Sequence, residues 1–199
     1  MKKFLLFPLM LVLACAVLFV PTTAKAADYT LFKDYDVNIL VQENNVLDIT
    51  ENITAYFDEG TYRHGIIREI PDRFEINTDE GYKKYDIVIS DIQVPGYATK
   101  VSRDNGYVNI RIGDADRYVT GEYKYTIHYK YDIGDDKIKA FDFLYFNVIG
   151  TEWNADIQKA TFTVTMPKAF DAGKVWGYAG ARGDTRDIDR PVSGAAEIR

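Results

Sequence analysis

The chain has 199 residues, and at roughly 150 residues per domain this length excludes a large multidomain enzyme. With 47% hydrophobic and 14% aromatic residues, the chain can bury an ordinary core, so it is neither disordered nor fibrous. The net charge is −6, and it becomes −9 without the three lysines of the N-terminal leader. Such a surface repels phosphate backbones, which argues against nucleic-acid binding.

The N-terminus has the three-part pattern of a secretory signal peptide. Two lysines precede an apolar run from Phe4 to Val20, and Ala24 and Ala26 supply a small-residue cleavage site. We therefore expect a signal helix over residues 1–26 and an extracytoplasmic domain over residues 27–199. The protein would then be exported by a bacterium, to the cell membrane or the extracytoplasmic space.

Two other interpretations of the leader stay open. The apolar run is almost as long as the roughly 18 residues of a spanning helix, so the segment could remain as an uncleaved anchor. Cys15 follows Val12, Leu13 and Ala14, which resembles a lipoprotein box, although the residues after it stay apolar where a lipidated protein has a polar tether. If cleavage follows Ala26, the exported domain has no cysteine, and burial rather than disulfides must stabilise it.

Most of the remaining sequence shows the alternation that is typical of half-buried β-strands. The clearest example is Gly121–Gly134, where tyrosines and isoleucines alternate with polar residues over the whole segment. Similar alternation is found at residues 35–41, 47–57, 107–112 and 160–166. We also expect one strand over Lys84–Val94 with a β-bulge near Asp91, where the parity of the apolar residues changes.

Turn residues separate these segments. Asn44-Asn45 joins the first two strands, and Asn105-Gly106 is the favoured pair of a type I′ hairpin. The segment Ile138–Ile149 is apolar on both faces and predicts a central, covered strand. Eight to ten short strands without a long helical period indicate an all-β fold, an antiparallel, immunoglobulin-like two-layer β-sandwich. A sheet closed on itself is the alternative.

One acidic residue falls on an apolar face. In the segment Leu47–Phe57, Glu51 has the parity of the apolar side chains, and a buried carboxylate needs a cation or a proton. Arg68 and Arg63 are the candidates, and we expect a structural ion pair between Glu51 and Arg68. A general acid with a raised pKa is the alternative role for Glu51.

Catalytic and metal-binding patterns are weak. Neither of the two histidines, His64 and His128, forms a convincing catalytic pair with a serine. The sequence contains neither a G-x-S-x-G nor an S-x-x-K motif. The aspartates of the loops do not have the spacing of a calcium-binding loop, and zinc ligands with standard spacing are absent. We expect no metal and no cofactor.

Two functions from different classes follow, beside a purely structural role as a spacer or assembly scaffold. The first is a non-catalytic module of the cell envelope that binds an envelope protein or a cell-wall component, with Tyr62, Arg63 and His64 as a candidate interaction loop. The second is a hydrolase of cell-wall glycan, in which Glu51 shares a cleft with Glu69 or Asp142. Carboxyl groups about 5 to 9.5 Å apart in an open groove would favour the hydrolase.

Several motifs in a fixed order resemble a known family. They are Val46–Glu51, Gly65–Pro71, Ile110–Asp114, Thr120–Tyr125, Asn147–Trp153 and the pair Met166-Pro167. Together they are similar to bacterial predicted membrane proteins built on domain of unknown function 2207 (DUF2207), over residues 35 to about 180. The most specific parts are the Arg-Glu-Ile-Pro run and the Gly-Thr-x-Trp run.

The resemblance implies an exported N-terminal β domain followed by transmembrane helices. The chain departs from this pattern after Ala26, because it has no further apolar segment of that length. The chain is then either a fragment or a soluble variant, and we favour a fragment that lacks C-terminal transmembrane helices, attached to the membrane through them or through the leader. The resemblance carries no established catalytic residues, but it suggests that Glu51, Arg68 and Trp153 are important.

Overall fold

The structure is a computed structural model that describes residues 30–60, 62–79, 81–135, 137–138, 143–177 and 197–198. The leader over 1–26 and Asp142 lie outside these ranges. Apart from a short 3₁₀ turn at Ala172–Lys174, the regular structure of the described residues consists of strands. None of their helical segments has the length and apolarity that crossing a membrane requires.

The strands in chain order are β1 (Thr30–Val41), β2 (Val46–Phe57), β3 (Gly65–Pro71), β4 (Arg73–Thr78), β5 (Gly81–Asp86), β6 (Val88–Gln93), β7 (Thr99–Asp104), β8 (Tyr107–Gly113), β9 (Gly121–Asp132), β10 (Asp156–Ile157), β11 (Ala160–Thr165) and β12 (Glu197–Ile198). The large sheet has the order β12-β11-β1-β2-β9-β6, with β10 also paired to β1. A second sheet has the order β3-β8-β7, and β4 and β5 form a separate hairpin.

The two larger sheets bury their apolar faces against each other. The long strands β1, β2 and β9 contribute alternate buried side chains, and β3 and β8 contribute alternate side chains from the other layer. Fully buried members of this core include Val37, Ile49, Ile110, Ile112 and Ile127. The prediction of an all-β, two-layer antiparallel fold is confirmed in this sandwich-like form.

One pairing differs from the antiparallel expectation. Strand β1 is antiparallel to β2 but parallel to β11, with Tyr35 opposite Ala160. A parallel neighbour needs a long connection instead of a tight turn, and the chain from β1 to β11, which contains β2 to β10, provides it. The alternation at residues 160–166 predicted the strand, but alternation carries no information about strand direction.

The predicted turns are found at their positions. Asn45 has φ 63° between β1 and β2, and Asn105 and Gly106 have φ 51° and 83° between β7 and β8, which is the type I′ pattern. Asp91 has φ 52° where the pairing of β6 with β9 shifts, so the expected bulge is confirmed.

The single strand predicted over Lys84–Val94 is wrong. Lys84 belongs to β5, and the chain changes sheets at Ile87 before β6 begins. The buried Ile87 donates its backbone N–H to the carbonyl of Asp72 at 2.8 Å instead of pairing with β9. This bond directs β5 into the hairpin and β6 onto the edge of the large sheet.

The central strand predicted over Ile138–Ile149 is also wrong. In the described part of this segment, Ile138 and residues 143–149 have no strand conformation. Both long edges of β9 are already paired, to β2 and to β6, so no ladder is available beside it. Leu144, Phe146 and Val148 instead pack on the core, and Tyr145, 59% exposed, stacks on Phe74. The segment is apolar on both sides because it covers the core and also holds the hairpin.

Candidate functional site

Glu51 lies in the middle of β2, on the face that is turned toward the second sheet. Its direct neighbours across the large sheet are Val37 on β1 and Ile127 on β9, both fully buried. The strict alternation of β2 turns the carboxylate inward with the apolar side chains. Glu51 is consequently 0% exposed.

Arg68 reaches Glu51 from the opposite layer. It lies on β3 and is 2% exposed. Its Nε lies 3.0 Å and 2.9 Å from the two carboxylate oxygens of Glu51, and its Nη2 donates to Oε1 at 2.8 Å. The remaining nitrogen, Nη1, donates to the backbone carbonyl of Glu69 at 2.7 Å. The structure therefore joins the two sheets through a charge-assisted, two-nitrogen contact.

Two tyrosines complete the coordination of the carboxylate. The hydroxyl of Tyr35 donates to Oε2 of Glu51 at 2.6 Å, and the hydroxyl of Tyr129 donates to Oε1 at 2.6 Å. The indole Nε1 of Trp153 donates to the Tyr35 hydroxyl at 3.2 Å, and the guanidinium of Arg68 lies 5.5 Å from the centre of the Trp153 ring. We call these five residues the buried ion-pair cluster.

The electrostatics keep the donors protonated. Burial raises the pKa of Tyr35 and of Tyr129 well above the ordinary tyrosine range, and the negative charge of Glu51 raises both further. Burial alone lowers the pKa of Arg68, but the adjacent Glu51 outweighs this effect and the net pKa is raised. Both tyrosines and the arginine therefore remain donors to Glu51 at neutral pH.

The buried ion-pair cluster has the geometry of a structural element. Each oxygen of Glu51 accepts a tyrosine hydroxyl and a guanidinium N–H, and the carboxylate has no exposed surface. A general acid must reach its substrate. Glu69 lies next to Arg68 on β3 and therefore points to the opposite face of that sheet, so it shares no cleft with Glu51. The arrangement that would favour a glycan hydrolase is not formed by Glu51 and Glu69.

Reasoning from the residues missed two members of this cluster, Tyr35 and Tyr129, whereas the family resemblance had already pointed to Trp153. Alternation alone does not show where the tyrosine hydroxyls of β9 lie, and the hydroxyl of Tyr129 points into the centre of the sandwich. Tyr35 and Tyr129 each lie two residues from the direct partner of Glu51, so they are its diagonal neighbours on the same face. Strand register is the signal that would have identified them.

The loop before β3 is fixed to the connection between β8 and β9. The backbone N–H of Val119 donates to the carbonyl of Arg63 at 2.9 Å, and Nδ1 of His64 lies 3.2 Å and 3.0 Å from the carbonyls of Asp114 and Arg117. Arg63 is half-buried in this loop, and Arg68 rather than Arg63 is the partner of Glu51.

Three rings on these loops form a second candidate site. Tyr62 is 76% exposed and Tyr118 is 62% exposed. Their ring centres are 5.6 Å apart with the planes at 78°, and the His64 ring lies 4.5 Å from that of Tyr118. We call Tyr62, His64 and Tyr118 the aromatic loop cluster. Sequence reasoning found Tyr62 and His64 but not Tyr118, which lies more than 50 residues further along the chain.

The base of the aromatic loop cluster is a pair of glycines. Gly65 and Gly113 face each other at the ends of β3 and β8, both with φ 137°. A Cβ atom on Gly65 would collide with the carbonyl of Ile112, and one on Gly113 would collide with the carbonyl of His64. The close backbone approach admits only glycine at both positions and brings the two loops together beneath the exposed rings.

Within the described ranges, no group of three or more histidine, cysteine, aspartate or glutamate side chains could hold a metal ion. The aspartates at 184, 187 and 189 lie outside these ranges.

Comparisons with known proteins place the chain in a family. It is 28% identical over 167 residues to the uncharacterized protein YciQ of Escherichia coli (strain K12), a match that covers 76% of this chain. The match covers only 25% of the length of that relative.

Similarity to solved structures is low. An M1 zinc metallopeptidase from Deinococcus radiodurans has a TM-score of 0.36 at 13% identity, over 86% of this chain and 38% of the enzyme. A mutant of that enzyme bound to a Tyr-Ser-Ala substrate has a TM-score of 0.34 at 13% identity, over 85% of this chain and 38% of the enzyme. These values establish neither a shared fold nor a shared activity.

The family comparison agrees with the motifs in the sequence. The model of the "Predicted membrane protein (DUF2207) N-terminal domain" matches residues 32–194, which include both the buried ion-pair cluster and the aromatic loop cluster. The chain therefore belongs to the DUF2207 family of predicted membrane proteins.

Proposed function

We propose that this domain is a non-catalytic binding module of the bacterial cell envelope, exported and held at the membrane. Its partner is an envelope protein or a cell-wall component, which it contacts through the aromatic loop cluster. Membership of a family of predicted membrane proteins and the signal-like leader support this location.

The exposure of Tyr62 and Tyr118 on loops that are hydrogen-bonded to each other carries the proposal. Both rings are more than 60% exposed although the loops beneath them are fixed by backbone hydrogen bonds and by the glycine pair. Large rings held in solvent lose little conformational freedom on binding, which is why tyrosine is frequent at binding hot spots. The buried ion-pair cluster, by contrast, is closed and serves the fold.

A crosslinking experiment in living cells tests this function. A photoreactive amino acid at position 118 should give a discrete adduct with one envelope component. The same amino acid at position 82 should give none, because Tyr82 is similarly exposed (63%) but lies on the separate hairpin. Substitution of Tyr62 by serine in the position-118 protein should reduce the adduct at least about fivefold, since truncation of a hot-spot ring costs about 1 kcal/mol or more.

The folded state needs a control in the same experiment. Tyr62→Ser should melt within a few degrees of the parent, because exposed positions change stability little. Equal adduct yields at positions 118 and 82, or an unchanged yield with Tyr62→Ser, would contradict the proposed function.

A further inference from the structure

The edge strand β7 has backbone groups without partners in the described structure. The tight turn makes Asp104 and Tyr107 a hydrogen-bonded pair, and Gly113 donates to the carbonyl of Ala98 at 2.9 Å. Hydrogen-bonded and non-bonded pairs alternate in an antiparallel ladder. The N–H and C=O groups of Thr99, Val101 and Arg103 therefore point away from β8, and all six residues of β7 are exposed.

The opposite edge of the same sheet is better protected. On β3, the register turns the backbone groups of Ile67, Glu69 and Pro71 outward. The carbonyl of Glu69 already accepts Nη1 of Arg68, and Pro71 has no N–H to offer. Natural sheets protect their edges by such means, so the contrast indicates that β7 is the edge at which another strand can add.

A pair of like charges lies beside the open edge. Lys100 on β7 is directly opposite Arg111 on β8, which puts their Cβ atoms about 5 Å apart on the outer face of the sheet. Both side chains are exposed, and in the described ranges neither has a carboxylate within ion-pair distance. Like charges in this position repel, and their presence is unexpected in a chain with a net charge of −6.

Arg103 holds the edge in place. Its Nη2 donates to the carbonyl of Ile89 on β6 at 3.1 Å, which ties β7 to the edge of the large sheet. This contact restrains β7 in the free domain, and a strand that is already restrained loses less conformational entropy when a further strand is added.

We propose that β7 is a docking edge for an extended acidic segment of a partner protein. The segment pairs with the outward backbone groups of Thr99, Val101 and Arg103 and becomes a fourth strand of the sheet β3-β8-β7. An acidic side chain of this segment lies directly opposite Lys100 and neutralises the positive pair. Backbone hydrogen bonds supply affinity, and Lys100 with Arg111 supplies the preference for acidic sequences. This site is separate from the aromatic loop cluster.

Peptide binding to the purified full chain tests the proposal. The probe is a fluorescent seven-residue peptide of alternating valine and glutamate, and its control has lysine in place of each glutamate. The glutamate peptide should bind at least about tenfold more tightly, with an affinity that falls as salt is added, because the discrimination is electrostatic.

Proline substitutions separate edge pairing from simple charge attraction. Val101→Pro removes an outward N–H while the ladder to β8 stays intact, and it should weaken binding about tenfold. The matched change Ile67→Pro removes an outward N–H from β3 and should leave binding within about twofold of the parent. Lys100→Glu should abolish the preference for the glutamate peptide. A thermal melt of each variant establishes that it is folded.

Three results would overturn the docking edge: equal binding of both peptides, parental binding by folded Val101→Pro, or an equal loss with Ile67→Pro. Dimerisation of the parent that Val101→Pro abolishes would also overturn it, since a second copy would then occupy the edge. Tyr62→Ser should keep full peptide binding, so failure of the envelope contact and failure of this site are distinguishable.

Discussion

At the scale of single residues, Glu51 is a charged group that the surrounding apolar strands could not bury alone. Moving a carboxylate from water into a core costs several kcal/mol, and only good geometry with further hydrogen bonds offsets that cost. Arg68, Tyr35 and Tyr129 supply this geometry, because two guanidinium nitrogens and two hydroxyls lie within 3.0 Å of the carboxylate oxygens. The ion pair also joins the two layers at one point, which favours one placement of the second sheet over the first.

We expect Glu51→Ala to lower the free energy of unfolding by about 3 to 5 kcal/mol, because it leaves the Arg68 charge buried without a partner. In a domain of this size the melting temperature should fall by roughly 6 to 20 °C. Urea denaturation measures the change, and Glu69→Ala on the opposite face of β3 is the control. The double variant Glu51→Leu/Arg68→Met should regain most of the loss. Parental stability of Glu51→Ala would show that the pair contributes nothing.

At the scale of secondary-structure elements, β9 carries three of the buried tyrosines that set the response of the domain to alkaline pH. Burial raises the pKa of Tyr131 to about 12, and it raises those of Tyr125 and Tyr129 as well. In the unfolded chain these hydroxyls ionise near pH 10. The unfolded state therefore loses protons first as the pH rises, so the stabilisation is complete below pH about 10 and declines between about 10 and 12.

The expected loss is about 1 kcal/mol per tyrosine at pH about 11. Urea midpoints at pH about 9, 10 and 11 measure it, and the absorbance of tyrosinate reports which state ionises. Tyr131→Phe should make the decline shallower, since one raised pKa is removed. Identical midpoints at the lowest and highest pH would contradict the role assigned to β9.

Local pattern predicted the elements whose two faces have different surroundings. The alternation of β2 and β9 follows directly from one buried and one solvated face, and the same parity placed Glu51 in the core opposite an arginine. The segment Ile138–Ile149 shows no such difference in its sequence, and its described part, residues 143–149, covers the core with some side chains and stacks Tyr145 on Phe74. Tyr129 and Tyr118 could not be assigned to their sites because register and loop contacts depend on residues far away in the sequence.

At the scale of the whole molecule, the family assignment and the leader lead to one expectation about processing. We predict that signal peptidase cleaves after Ala26, so that the domain of residues 27–199 begins at Ala27. The reason is the small-residue site at Ala24 and Ala26 beyond the apolar run. Mass spectrometry of the protein from the envelope fraction should find Ala27 at the N-terminus.

A substitution at the cleavage site provides the control for this expectation. Ala26→Phe should block cleavage and retain the leader, because the site accepts only small side chains. An N-terminus at Met1 in the parent would show an anchor instead, and a lipid-modified Cys15 would show a lipoprotein.

Because β1 pairs with β11, the large sheet can be completed only late in synthesis. Tyr35 leaves the ribosome early, yet its neighbour Ala160 is 125 residues further along. At 5 to 20 residues per second, on the order of ten seconds pass before that neighbour is synthesised. Until then one edge of β1 has no strand beside it, so the large sheet stays incomplete during most of the synthesis. Delayed closure of this kind would suit the export that we propose, because an exported chain crosses the membrane before it folds.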